Sequence, residues 1–311
     1  MAEKDIREIN IAARIDPEKL VAAAESKYNA ELCTLADRIS GDSGVRLVML
    51  AGPSGAGKTT TANILADLLI LRGRNASVVS LDHFYRESDD PDYPIAPDGN
   101  RDCESVDALD CDRISSCLSS LVTGRKQIIY KYDFSLGRPG DDSIVLDPGE
   151  DGIVIVEGLH ALNPRMLSGV PAENVCRLFV SVSTNLNDGG ERILSGRKMR
   201  FLRRLVRDSL YRGSSAERTL GMWRGVLEGE DNYLYPYKNT AEYSFNTFHD
   251  FELGVLKPYA KALLVGPVLC DPYAESVRRA VDLAEAIPLD LVPDDSLIRE
   301  FIPGGKYENL Y

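Results

Sequence analysis

The chain has 311 residues, 36 Lys plus Arg against 48 Asp plus Glu for a net charge of −12, and 44% hydrophobic residues. Such a chain can bury a substantial core without disulfide staples, and its acidic balance excludes a dedicated nucleic-acid binder, whose surface must neutralise many phosphates with Lys and Arg. No window approaches the roughly 20 apolar residues of a membrane span, and the opening Met-Ala-Glu-Lys-Asp lacks the pattern of a secretory leader, so a cytoplasmic protein without a membrane partner is expected. The six cysteines are scattered without a Cys-x-x-Cys pair and read as reduced thiols. His83, His160 and His249 are too far apart for a local zinc motif.

Asp16-Pro17-Glu18 offers a helix cap, a proline at the first helical position and an acid in the first turn, which predicts a helix starting there. Tyr28, Leu32, Leu35 and Ile39 form one apolar stripe that ends before Ser40-Gly41-Asp42-Ser43-Gly44. Too few anchors recur to specify a coiled coil, so a helix docked on the main domain is expected. Residues 1–44 thus read as an N-terminal helical extension and residues 45–311 as the main domain.

From Val45 the pattern changes to short aliphatic runs, Val45 to Ala51, Ser77 to Leu81, Ile153 to Val156 and Arg177 to Val182, alternating with helical stretches. Nearly continuous apolar character marks strands covered on both faces, so the predicted fold is α/β with a parallel sheet flanked by helices. Arg86 to Arg101, rich in Asp and Pro, reads as a surface loop. Gln127 to Ser135 and Ser143 to Leu146, around Gly137-Arg138-Pro139-Gly140, read as a β-hairpin insertion.

Gly52-Pro53-Ser54-Gly55-Ala56-Gly57-Lys58-Thr59 fits the spacing of a phosphate-binding P-loop, with a buried-type strand before it and a helical run from Thr60 to Leu71 after it. Backbone N–H groups and the positive end of that helix would face a phosphate chain. Lys58 would reach the terminal phosphates, and the Thr59 hydroxyl would ligate Mg²⁺. The plainer alternative is a glycine-rich strand-to-helix turn.

Ligands of open α/β sheets gather beyond the carboxyl ends of the strands, where Asp82 and Glu157 follow two of the predicted strands. Glu157 is the natural acid to orient Mg²⁺, and Asp82 could accept a proton from an attacking hydroxyl or share the metal. The two roles could be exchanged, and a cap or turn role is the alternative for either. Glu191 to Arg212 carries eight Lys or Arg residues, Arg204, Arg207 and Arg212 among them, against only Glu191 and Asp208. Leu194, Phe201, Leu205 and Val206 would form its apolar helix face, and the basic face suits an arginine-rich lid closing over transferring phosphates; a solvated basic helix is the alternative. No Asn-Lys-x-Asp guanine-reading sequence is present, which favours a metabolic kinase over a GTPase switch.

These residues resemble the uridine kinase and phosphoribulokinase family of P-loop kinases. The likeness is carried by Gly52 to Thr60, Ser80-Leu81-Asp82-His83-Phe84-Tyr85, Tyr132-Asp133-Phe134 and Val156-Glu157-Gly158. Glu157 to Pro164, Arg203 to Gly213, Lys257-Pro258-Tyr259-Ala260 and Asp295 to Phe301 resemble a bacterial uridine-kinase-like subgroup whose kinase part often follows a TGS region, which is not expected here. The likeness runs from about Glu25 to Gly305.

The resemblance implies a P-loop NTPase fold that uses ATP and Mg²⁺, with Gly52, Ser54, Gly55, Ala56, Gly57, Lys58, Thr59 and Thr60 around the nucleotide. It implies Thr59, Glu157 and Asp82 at the metal and Asp82 as base toward a nucleoside 5′-hydroxyl. Glu104 would bind the ribose diol, Tyr85, Tyr132 and Phe134 would line the acceptor site, and Arg204, Arg207 and Arg212 would contact substrate and phosphates.

Two departures stand out. Gly137 replaces a histidine that pyrimidine-specific members carry, and Ser214 replaces a lid arginine, for which Arg197 or Arg200 could compensate. The expected activity is phosphorylation of a nucleoside, uridine or cytidine first. The alternatives are a sugar phosphate, pantothenate or glycerate as acceptor, or a non-catalytic nucleotide-binding regulator. The expected partner is a small molecule, and homo-oligomerisation stays open.

Overall fold

A computed structural model describes residues 2–96 and 99–308. After β1 (Ala2–Asp5), α1 (Ile6–Ile15) and α2 (Pro17–Gly41) come β2 (Leu47–Ala51), α3 (Lys58–Leu71), β3 (Ala76–Ser80) and α4 (Cys111–Val122). The hairpin β4 (Gln127–Asp133) and β5 (Arg138–Leu146) leads to β6 (Ile153–Glu157), β7 (Val175–Ser181), β8 (Thr184–Asp188) and β9 (Glu191–Leu194). The chain continues through α5 (Gly196–Tyr211), α6 (Ala216–Gly229), β10 (Tyr243–Asn246), α7 (Glu252–Leu263) and α8 (Pro272–Leu283).

The main sheet is parallel in the order β10-β7-β2-β6-β3, so the strand that feeds the glycine-rich loop is central. Its apolar runs have two faces. Leu47, Met49, Val154, Val156 and Phe179 pack with Ile114, Leu118 and Leu121 of α4, while Val48, Leu50, Ile153, Ile155 and Leu178 pack with Leu35 and Ile39 of α2 and Leu65 and Leu69 of α3. Alternate residues of a strand point to opposite faces, so covering both faces demands the uninterrupted hydrophobic sequence that these strands carry.

The Asp16 cap is where the sequence places it: its side chain accepts from the Lys19 N–H at 2.9 Å, with Pro17 at the first helical position. Asp16 also ends α1. β1 is not visible in the hydrophobic pattern, because Ala-Glu-Lys-Asp has no strand propensity of its own and pairs in parallel with β8 through the backbone, whereas α1 carries an amphipathic pattern, with Ile6, Ile9 and Ala13 on its packed face. The helix expected across Glu191 to Arg212 is corrected: Glu191–Leu194 is a strand, and α5 begins at Gly196 behind a Ser195 cap. Leu194 therefore serves a strand, and the apolar face of α5 is built from Met199, Phe201, Leu202, Leu205 and Val206. The described part of the tail, residues 293–308, is docked, with Leu297, Ile298, Phe301 and Ile302 fully buried.

Candidate active site

Strand register brings the catalytic candidates to one edge. Glu157, the last residue of β6, is the register partner of both Leu50 on β2 and Ser80 on β3. The loop beginning at Gly52 and the turn holding Asp82 therefore each lie two residues beyond the level of Glu157, at the carboxyl end of the sheet. Helix α3 starts at Lys58, and its cap residue, Gly57, has no side chain to occupy the first-turn N–H groups. Apart from the Thr60 N–H, which donates to Glu300, those groups and the helix dipole make this end of α3 suited to an anion.

The Thr59 hydroxyl donates to the Glu157 carboxylate at 3.3 Å. Burial pushes the Glu157 carboxyl up to about 7, the positive charge of Lys58 pulls it down, and the negative charge of Asp82 pushes it up again. Asp82 is exposed in the turn after β3, its N–H donating to the Ser80 hydroxyl at 3.2 Å. A hydroxyl and two carboxylates are the hard oxygen donors that Mg²⁺ takes alongside substrate phosphates and water, so the residues present fit that ion. Among the described residues no group of three or more His, Cys, Asp or Glu side chains gathers to hold a metal without such help.

The hairpin and the loop after β3 form an aromatic wall beside these acids. Ring centroids of Tyr132 and Phe134 are 5.0 Å apart, and Tyr85 lies 5.7 Å from Tyr132 and 5.5 Å from Phe134. Tyr132 donates its hydroxyl to the Arg86 carbonyl at 3.0 Å and Tyr85 to the Cys103 carbonyl at 2.9 Å, which leaves Phe134, 65% exposed, as the open member. Glu104 is half-buried, and desolvation pushes its carboxyl up to about 7 against the pull of Arg204 and Lys58. Gly137, with φ of +65°, is pressed against Ser88, whose N–H donates to the Gly137 carbonyl at 2.7 Å.

The arginines of α5 divide into two sets. Arg200 and Arg203 are fully buried and point at structural acids: Arg200 makes a two-pronged pair with Glu230 at 2.6 and 2.8 Å, and Arg203 meets Glu252 at 2.6 Å. Both also brace the phosphate loop, donating to the carbonyls of Ser54 and Gly55. Arg204 donates to the Ser54 hydroxyl at 2.8 Å, and Arg204, Arg207 and Arg212 all converge on Asp208. The idea that Arg197 or Arg200 replaces the arginine missing at Ser214 does not fit this packing, because Arg197 is paired with Asp231 and Arg200 with Glu230.

Three acids that sequence reasoning gave no part are central to the site. Glu230 accepts the Ser54 N–H at 2.9 Å. Glu300 accepts from the Thr60 N–H at 3.3 Å and the Thr60 hydroxyl at 3.0 Å. Asp208 was visible only as one of two acids in a basic run, and nothing local marks the other two, since their partners lie 176 and 240 residues away.

A sequence model of the phosphoribulokinase / uridine kinase family matches residues 47–253. The chain belongs to this family. It is 26% identical over 197 residues to a uridine kinase of Staphylococcus haemolyticus, covering 63% of this chain and 84% of that protein. A uridine kinase of Staphylococcus aureus is 25% identical over the same shares of the two chains. A solved structure of a possible uridine kinase from Bacillus stearothermophilus superposes with a TM-score of 0.41 at 14% identity, over 71% of this chain and 98% of that one. Its membership of that family makes the chain, with its five-stranded parallel sheet and β4-β5 hairpin, a P-loop kinase.

Proposed function

We propose that this chain transfers the γ-phosphoryl group of ATP, with Mg²⁺, to the 5′-hydroxyl of a nucleoside, with uridine and cytidine the first acceptors to try. The observation that carries the reading is the register of the central sheet, which sets Glu157 level with the strand ends from which the phosphate loop and Asp82 emerge. Around-25% identity to uridine kinases supports the acceptor class.

In this reading, residues 52–60 and the start of α3 hold the phosphate chain, and Lys58, Arg207 and Arg212 neutralise charge developing on the transferred group. Thr59, Glu157 and Asp82 would hold Mg²⁺, which would supply charge neutralisation when bound. Asp82 orients the acceptor hydroxyl and takes its proton on a carboxylate oxygen. Glu104 accepts hydrogen bonds from two vicinal hydroxyls, which one carboxylate can do, while Tyr85, Tyr132 and Phe134 pack beside the base and Arg204 ties Ser54 to the lid. Residues 1–44 act as a helical extension of the domain formed by residues 45–311.

The test is acceptor-dependent ADP release with uridine, cytidine, 2′-deoxyuridine, a sugar phosphate, pantothenate and glycerate. Release stimulated by ribonucleosides alone supports the reading. A second reading, an acceptor with no pyrimidine, is favoured by Gly137: a side chain there would start 2.4 Å from the Ser88 hydroxyl, so no base-reading residue fits at that position. Stimulation only by a non-nucleoside alcohol selects it, and slow hydrolysis unaffected by every acceptor selects a nucleotide-binding regulator.

A further inference from the structure

Asp208 lies on α5, 2% exposed, and is surrounded by three arginines. Its Oδ1 accepts from Arg207 Nε at 3.0 Å and Nη2 at 2.8 Å and lies 3.6 Å from Arg212 Nη1, while Oδ2 is 3.2 Å from Arg204 Nε. The backbone carbonyl of the same residue accepts the N–H groups of Arg212 and Ser214 at 3.1 and 3.0 Å, which closes the helix and fixes where Arg212 leaves it. The carboxylate thus hydrogen-bonds Arg207, which also stands 4.0 Å from Glu300, and faces Arg204 and Arg212 as a counter-charge. The surplus positive charge has a direction: Arg204 reaches on to the Ser54 hydroxyl of the phosphate loop, and Arg212, with its side chain 52% exposed, feels the charge of Asp82.

An arginine left free would sample many rotamers and lose its value as a preorganised donor. Burying one carboxylate among three arginines limits that freedom, most for the hydrogen-bonded Arg207, while leaving a net cationic cluster for an anion to complete. We propose that Asp208 is a positioning residue of the phosphotransfer site, aiming Arg204, Arg207 and Arg212 so that their excess charge meets the transferring phosphoryl group. The inference rests on the kinase reading above and adds to it the residue that organises the clamp. Asp208 touches no reacting atom, and it acts through the arginines.

The test compares Asp208→Asn with the parent protein in two measurements, ADP binding by calorimetry and acceptor-dependent kcat. Asn keeps the shape and one acceptor but removes the charge that orders the guanidinium groups. ADP should bind as tightly as in the parent or more tightly, because three arginines lose a shared counter-charge, while kcat falls by on the order of tenfold to a hundredfold. A purely structural Asp208 would instead lower binding and turnover together, in step with the fraction folded, and that result overturns the inference, as does an unchanged kcat. Should Asp208→Asn not fold, Asp208→Glu keeps the charge and shifts it by one methylene. Reduced kcat with parental ADP affinity in that variant supports the assignment, and parental kcat overturns it. A parent protein that binds ADP but shows no turnover with any acceptor overturns the kinase reading, and the inference with it.

Discussion

Gly229 and Glu104 touch across the cleft: a side-chain carbon at 229 would stand 2.5 Å from Glu104 Cβ. The end of α6 is therefore shaped to let Glu104 stand beside it, and a methyl group at 229 would move the carboxylate. Gly229→Ala and Glu104→Gln should both raise KM for a ribonucleoside while changing KM for ATP little. If ribonucleoside and 2′-deoxyribonucleoside are used equally well by the parent, the diol contact is wrong.

The same carboxylate sets a pH dependence. Burial pushes Glu104 up to about 7, so at pH 6 it is mostly protonated and accepts hydroxyl hydrogen bonds poorly, whereas at pH 8 it is charged. KM for the ribonucleoside should fall by up to about tenfold from pH 6 to pH 8, as the competent fraction of Glu104 rises. Initial rates with the Glu104→Gln variant should show no such fall, and a fall of equal size in that variant would assign the effect elsewhere.

Asp82 and Lys58 separate chemistry from binding. Asp82→Asn should retain ADP binding and lose acceptor-dependent turnover by about a hundredfold or more, the range of a lost general base. Lys58→Ala should weaken nucleotide binding and turnover together. Full activity of Asp82→Asn would take the base role from it, and calorimetry with ADP reads the contrast.

Behind the site, Glu25 of α2 is buried and accepts a hydrogen bond from the Ser296 hydroxyl. Burial raises its carboxyl to about 7, with the neighbouring Asp295 adding to the shift and Ser296 opposing it. A raised carboxyl favours folding while protonated, so its contribution is present below about 4.5 and is lost as pH rises through about 7. Glu25→Gln should match the parent near pH 5 and exceed it in stability near pH 8 by about 3 kcal/mol at most. His249, 3.9 Å from Glu25, is held neutral, its pKa lowered to about 3 by burial and by Arg203, so it offers no compensating charge. Urea midpoints at the two pH values read the difference.

Gly137 combines a left-handed backbone with contact against Ser88. Gly137→Ala should destabilise the protein by about 1–3 kcal/mol, and Ser88→Gly, by removing both side-chain atoms of the contact, should recover part of the loss. Thermal melts of the single and double variants measure the coupling.

The parallel sheet, the phosphate loop and the hairpin were legible because each rests on short-range pattern: continuous apolar strands, a fixed glycine spacing, a turn between alternating segments. The hairpin boundary was less so, since β5 starts at Arg138 inside what reads as the turn. Strand β10 was missed because Tyr-Ser-Phe-Asn is short and sits at the sheet edge, and the small sheet of β1, β8 and β9 because its strands are polar and four or five residues long. At the site, local sequence named the arginines without telling which are buried pairs. Charge in a helix predicts an exposed face, and only tertiary acids such as Glu230 and Glu252 allow Arg200 and Arg203 to be the largest fully buried side chains.

The match to the family model ends at residue 253, yet the back wall of the phosphate helix is made outside it. Tyr28 of α2 bonds to the Thr61 hydroxyl at 2.7 Å, and Glu300 holds Thr60. Since Glu25 and Ser296 fasten those two flanks to each other, α3 is ringed by segments from before and after the common core. A change at either flank, far from any reacting atom, would reach the nucleotide by loosening that collar, and a fragment cut to residues 47–253 would carry the signature glycines without the brace that holds them.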